Sequence, residues 1–122
     1  MSYTINMGET IWRATFSKIL TKDDLLEIAR RIESLREGGT DPNGVIDTRR
    51  LSGVDIDFDT IATIVLEMQS HPAGNGMRIA MLAETPVQCG FAKTLQMLLI
   101  QRHINVQLFF EDEEDALDWI SK

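Results

Sequence analysis

Met77 to Ala83 (MRIAMLA) is apolar at every position except Arg78, and the residues just beyond it, Thr85-Pro86-Val87-Gln88, carry the start signals of a helix. A strand of that kind has no polar face to offer water, so both of its faces must be covered. Thr85 and Gln88 stand at capping-box spacing, and Pro86 falls in the first turn, where its missing N–H costs nothing. A doubly covered strand that runs into a helix is the repeating unit of a parallel α/β sheet. That unit constrains how the rest of the chain can be arranged.

The flanking segments fit it. Tyr3, Ile5 and Met7 alternate with Thr4 and Asn6, Gly8-Glu9 offers a tight turn, and Thr10 to Phe16 alternate again, with Trp12, Ala14 and Phe16 on one side. A β-hairpin is therefore expected first. Thr21 and Asp24 are spaced as a capping box ahead of a helical stripe of Leu25, Ile28, Ala29, Ile32 and Leu35. Glu27 and Arg31 form an i, i+4 pair on its wet side, and Gly38-Gly39 end it. Gly44 to Asp47 reads as a short strand and Thr48 to Asp59 as a polar loop. Ile61, Ile64, Val65 and Met68 define a second helix, capped by Asp57 or Asp59 and stopped at His71-Pro72.

Val87, Phe91, Leu95 and Leu98 are the expected core stripe of the long helix after Thr85. Asn105 to Phe110 is a fifth strand. Glu111 to Ser121 is a last helix, with Ala116, Leu117 and Ile120 inward and acids in its first turn, where the helix dipole favours them. The predicted order is ββαβαβαβα: one α/β domain over residues 1–122, with a mostly parallel five-stranded sheet and an antiparallel N-terminal edge strand. The loops at Gly38–Gly44 and Pro72–Gly76 are too short to be domain linkers.

Composition narrows the function classes. Twelve Lys and Arg against nineteen Asp and Glu give a net charge of −7, which argues against nucleic acid as a partner because that contact needs clustered positive charge. One cysteine excludes an intramolecular disulfide and a multi-cysteine zinc site, and two histidines exclude a histidine cluster. No metal and no cofactor is expected. The first residues, MSYTINMGE, lack the basic and apolar regions of a secretory signal, and no run approaches the roughly 18 apolar residues of a membrane helix. The expectation is a cytoplasmic protein without stable membrane association, since an anionic bilayer repels this charge.

Three segments carry a family resemblance. MRIAMLAE, the helix opening PVQCGFAKTL, and INVQLFFEDEEDALDWI together resemble the second half of the SpoIIAA-like family of small bacterial proteins. That family closes with a strand ending in an aromatic residue, an acidic turn, and Ala-Leu-x-Trp before an aliphatic residue; Ala116, Leu117, Trp119 and Ile120 match. The resemblance implies a fold similar to STAS domains, a β-α superhelix, and a non-enzymatic protein-interaction or regulatory role of poorly defined detail. A looser similarity to lipid-carrier folds implies the alternative, a small carrier holding an apolar or lipid-like ligand between the long helix and the sheet.

Anti-sigma-factor antagonists also carry a phosphorylatable Ser or Thr at the start of their second helix. Asp59-Thr60 stands in that place, which makes Thr60 a candidate acceptor. The loop before it is longer than in those proteins, and Ile61-Ala62 replaces the usual Ser-Gly. Asp55, Asp57 and Asp59 would repel a phosphate, so the first reading of Thr60 is an ordinary first-turn residue.

Ligands of open parallel sheets bind beyond the carboxyl ends of the strands. Here that edge offers Arg49 and Arg50, whose guanidinium forks suit a carboxylate or phosphate, together with Thr85 and Phe110. The competing reading of the arginines is a surface salt bridge to Glu84 or to the Asp loop. Met97 and Ile100 lie away from the core stripe and, with Leu99, widen the apolar surface of the long helix; a protein partner, including a second copy of the chain as a homodimer, would cover them.

Other features have plainer explanations. Cys89 sits in a first helical turn but lacks a neighbouring base in sequence. Asp55, Asp57 and Asp59 have the opening spacing of a calcium loop, yet Thr60 and Leu66 replace its Gly and Glu. The acids from Glu111 to Asp115 suit a helix start. Trp119 offers two readings, the lining of a pocket with Phe109 or Phe110 and, more plainly, the packing of the last helix onto the sheet. No complete acid/base or nucleophile set is present, so no catalytic residue is assigned.

Overall fold

The computed structural model describes residues 3–7, 11–37, 43–68, 77–110 and 112–121. The proposed turns at Gly8-Glu9, Gly38-Gly39 and Pro72–Gly76, and His71, lie outside the described residues. Strands β1 (Tyr3–Met7) and β2 (Ile11–Leu20) come first, then α1 (Lys22–Glu37), β3 (Asn43–Val54) and α2 (Phe58–Leu66). These are followed by β4 (Met77–Leu82), α3 (Pro86–Leu99) with a closing 3-10 turn over Ile100–Arg102, β5 (Ile104–Phe109) and α4 (Glu113–Ile120).

The strands lie side by side in sequence order. β2 to β5 are parallel, and β1 pairs with β2 in the opposite sense, Ile5 facing Ala14. A monotonic order of parallel strands follows from crossovers that always step the same way, which places the connecting helices α1, α2 and α3 on one face. The burial pattern agrees. Trp12, Ala14 and Phe16 of β2, Ile46 of β3, and Met77, Ile79 and Met81 of β4 share one core with residues of those three helices. The alternate positions, Val45 of β3 and Ala80 and Leu82 of β4, meet Ala116 and Ile120 of α4 on the opposite face. β4 is thus covered twice, as its apolar run requires.

Local signals act where they were read. Thr21 and Asp24 bond each other reciprocally at the start of α1. Thr85 Oγ1 accepts the Gln88 N–H at 3.2 Å, and Gln88 Oε1 accepts the Thr85 N–H at 3.1 Å, a complete capping box. Asp57 rather than Asp59 caps α2, accepting the Thr60 N–H at 2.7 Å.

Three readings are corrected. Thr48 to Val54 is not loop but the second half of β3, paired with β2 as far as Val54 opposite Leu20. Its polar sequence disguised it. The pairing also holds two irregularities, one of them an extra β3 residue between the pairs Thr15–Asp47 and Ser17–Arg50. Val87 and Leu117, expected in core stripes, are exposed; Val87 lies within the first turn of α3, and Leu117 turns from the sheet while Ala116 and Ile120 face it. Leu99, grouped with the outer surface, is in the core. No helix among the described residues is long and apolar enough to cross a membrane.

Candidate functional site

Partway along β2 and β3, level with the carboxyl end of β4, the sheet meets the amino end of α4, and four charged side chains close a ring there. Arg13 is on the face of β2 opposite Trp12 and Ala14, Asp47 on the same face of β3, and Glu113 opens α4. Arg13 Nη2 lies 2.7 Å from Asp47 Oδ2 and 2.7 Å from Glu113 Oε1. Arg49 Nη2 repeats the pattern at 2.8 Å and 3.0 Å. Arg49 also donates Nε at 2.9 Å and its backbone N–H at 3.0 Å to Asp47 Oδ1. The bulge in β3 is located here, between Asp47 and Arg50. Such bulges re-aim side chains, and here the strand departs from regular pairing just where Arg49 turns onto Asp47.

Asp47 is 4% exposed. Burial alone would raise its pKa, but the hydrogen bonds from Arg49, with that residue's charge and the bond from Arg13, hold its carboxyl below the usual carboxylate range. The same hydrogen bond to Asp47 pushes the Arg49 guanidinium further up, with Glu113 and Glu84 adding to it. Outside the ring the surface sinks into an open polar depression of about 580 Å³, lined also by Thr15, Arg50 and Glu84.

A second polar tie lies on the other face. Gln88 is 2% exposed. Its Oε1 accepts the N–H groups of Glu84 and Thr85, and its Nε2 donates to the carbonyls of Arg49 and Leu51 at 3.1 Å and 2.9 Å. The β3–β4 pairing ends at Asp47 opposite Leu82. Gln88 therefore supplies donors to β3 carbonyls where the neighbouring strand has run out, as buried carbonyls require. Thr48, fully buried, closes the same corner by donating Oγ1 to the Leu82 carbonyl at 2.7 Å.

The expected edge residues divide. Arg49 and Arg50 both line the depression, but Arg49 is committed to Asp47 and Glu113 rather than to Glu84. Thr85 is occupied as a helix cap, and Phe110, exposed beyond the end of β5, stands outside the lining. Arg13 and Glu113 were missed as site residues. Arg13 appeared only as a polar position in an alternating strand, and Glu113 only as one of several acids at a helix start.

Thr60 sits in the first turn of α2, its N–H and hydroxyl both engaged with Asp57, whose carboxyl these bonds hold below its usual range. Met97 and Ile100 are 53% and 56% exposed. Cys89 packs partly buried against the main core in the first turns of α3. His103 lies beyond the far end of that helix, on the order of 20 Å away by helix rise, so the two do not form a pair. Trp119 packs on Phe109 with ring centroids 6.0 Å apart, and the Arg78 guanidinium lies 5.9 Å from its ring centre.

No protein-family model and no curated protein matches the chain significantly. Solved structures do. An uncharacterized protein of the DUF3478 family with a SpoIIAA-like fold, from Shewanella loihica, superposes with a TM-score of 0.60 at 19% identity, over 97% of this chain and 91% of that one. The anti-sigma factor antagonist SpoIIAA in its unphosphorylated form superposes with a TM-score of 0.60 at 16% identity, over 98% and 97% of the two chains. The chain has a SpoIIAA-like fold. The phosphorylated form of SpoIIAA, described as a Bacillus cell fate determinant, gives the same score at 16% identity over 97% and 98%.

Proposed function

We propose that this SpoIIAA-like chain is a non-enzymatic, STAS-like protein-interaction domain working in the cytoplasm, and that its partner docks on the outer face of α3. The observation that supports this reading is the exposure of Met97 and Ile100, three residues apart and therefore neighbours on the helix surface, while Leu95, Leu98 and Leu99 beside them are buried. Two large apolar side chains side by side, each more than half in water, favour burial against another surface. The alternative of an apolar carrier has less support: Phe91, Ala92, Leu95 and Leu98 seat α3 directly against the sheet, in the space that a ligand would need. Phosphorylation at Thr60 is disfavoured by the exposed Asp55, Asp57 and Asp59 around it and by its hydroxyl bond to Asp57.

The first partner to test is a second copy of the chain. Light scattering over rising concentration should show a mass climbing toward twice that of the monomer, and Met97→Glu with Ile100→Glu should hold it at the monomer. A photo-crosslinker at position 97, used in cells, covers other protein partners. A strict monomer that also yields no cross-linked protein from that position would reject the reading.

A further inference from the structure

The ring beside the end of β4 has a front and a back. Asp47 lies behind the two arginines, its side chain 6% exposed, and pins both. Glu113 lies in front, 39% exposed, on the side that opens to the depression. Arg13 and Arg49 each bring one Nη2 to the same oxygen, Glu113 Oε1, at 2.7 and 3.0 Å. Two guanidinium groups converging on one oxygen, held in place from behind, form a preorganised oxyanion site, and here a tethered carboxylate fills it.

We propose that the depression binds a phosphate group, and that Glu113 is its built-in competitor, which swings out when the ligand arrives. The lining sets three arginines, Arg13, Arg49 and Arg50, against three acids, Asp47, Glu84 and Glu113. Moving Glu113 away leaves one net positive charge and exposes the converging donors, while Arg50, already in water, stands beside them. The volume of about 580 Å³ lies in the range of small-molecule sites, which run from roughly 300 to 1,000 Å³.

The ligand class follows from the competition. Glu113 is attached, so it competes at an effective concentration on the order of millimolar. A free monoanionic carboxylate offers the arginines nothing that Glu113 does not. A phosphate brings up to a second negative charge and additional acceptor oxygens, enough to engage both forks and Arg50. Elsewhere the net charge of −7 repels anions, so binding should be confined to this depression. The inference is independent of any partner on α3, since it concerns the opposite face of the sheet, where α4 begins.

The test is a titration of the isotope-labelled full chain at constant ionic strength, with inorganic phosphate, glycerol 3-phosphate or acetate. NMR follows the Nε–H signals of Arg13 and Arg49. Phosphate should move both signals and acetate should move neither. Glu113→Gln should tighten phosphate binding about tenfold or more, because the tethered competitor loses its charge, and Arg50→Gln should weaken it. Tighter binding of glycerol 3-phosphate would identify an ester as the ligand; equal affinity would identify the free ion. Unmoved arginine signals, an equal response to acetate, or a Glu113→Gln protein that binds no more tightly than the wild type overturns the proposal. If Glu113→Gln does not fold, the wild-type titration decides by itself.

Discussion

Arg49 turns back on Asp47, two residues earlier on the same strand, and grips both of its carboxylate oxygens, Nε to Oδ1 at 2.9 Å and Nη2 to Oδ2 at 2.8 Å. The pair sits where β3 bulges and where β4 stops beside it, and both arginines on Asp47 also reach Glu113 at the start of α4.

Stability should fall in acid for this reason. Asp47 and Asp57 both have folded pKa values below their unfolded ones. Their contribution is present above the unfolded value of about 4 and is lost as pH drops through the folded values. Urea midpoints should stay level from neutral pH to about pH 5 and decline below about pH 4. Asp47→Asn should lower stability at pH 7 by about 2 kcal/mol, because the two arginines lose their charged acceptor, and should flatten the acid decline. An Asp47→Asn protein with the same acid dependence as the wild type would contradict the assignment.

Gln88 is the side chain whose loss should be felt furthest from its own helix. It serves four backbone groups from a buried position. Gln88→Ala should cost about 3 kcal/mol, from unpaired carbonyls of Arg49 and Leu51 together with the lost cap. Gln88→Glu keeps the acceptor but not the donor at neutral pH. It should therefore retain the cap and still lose much of that stability. Hydrogen exchange at the β3–α3 corner separates the two effects.

Gly44 is paired opposite Trp12 in the β2–β3 ladder, and the indole lies directly over it. A Cβ at that position would overlap the indole ring, coming within 2.5 Å of Cζ2. Trp12 is buried in the main core and has little room to retreat. Gly44→Ala should destabilise by about 2 to 3 kcal/mol, readable as a shift in urea midpoint with an altered tryptophan emission. Gly90, whose Cβ would meet nothing, is the control; Gly90→Ala should be neutral or slightly stabilising.

Met97→Glu and Ile100→Glu should each change stability by less than about 0.5 kcal/mol, since both side chains project into water. A large loss of stability from either would place the residue in the fold rather than on a contact surface. Circular dichroism with urea titration makes that distinction before any association experiment is interpreted.

The secondary structure was legible because its signals are local. An apolar run without a polar face had to be a doubly covered strand, and Thr21, Asp57 and Thr85 marked helix starts through bonds that reach only three residues. The closing pattern of Ala116, Leu117, Trp119 and Ile120 pointed toward the fold that the solved structures share. The second half of β3 escaped because Thr48 to Val54 is polar and irregular in its pairing, so neither apolar content nor strict alternation announced it.

The candidate site was only half visible, for a different reason. Arg49 and Arg50 were legible as candidates, although β3 runs on past them to Val54, but Arg13 and Glu113 are a hundred positions apart in the chain. Which charges meet depends on how far α4 slides along the sheet and on the bulge that turns Arg49 toward Asp47. Hydrophobic period and capping act over a few residues and are written in the sequence. Ion pairing and the use of Gln88 as a substitute for a missing strand act across packed layers, and only the folded chain brings those groups within 3 Å of one another.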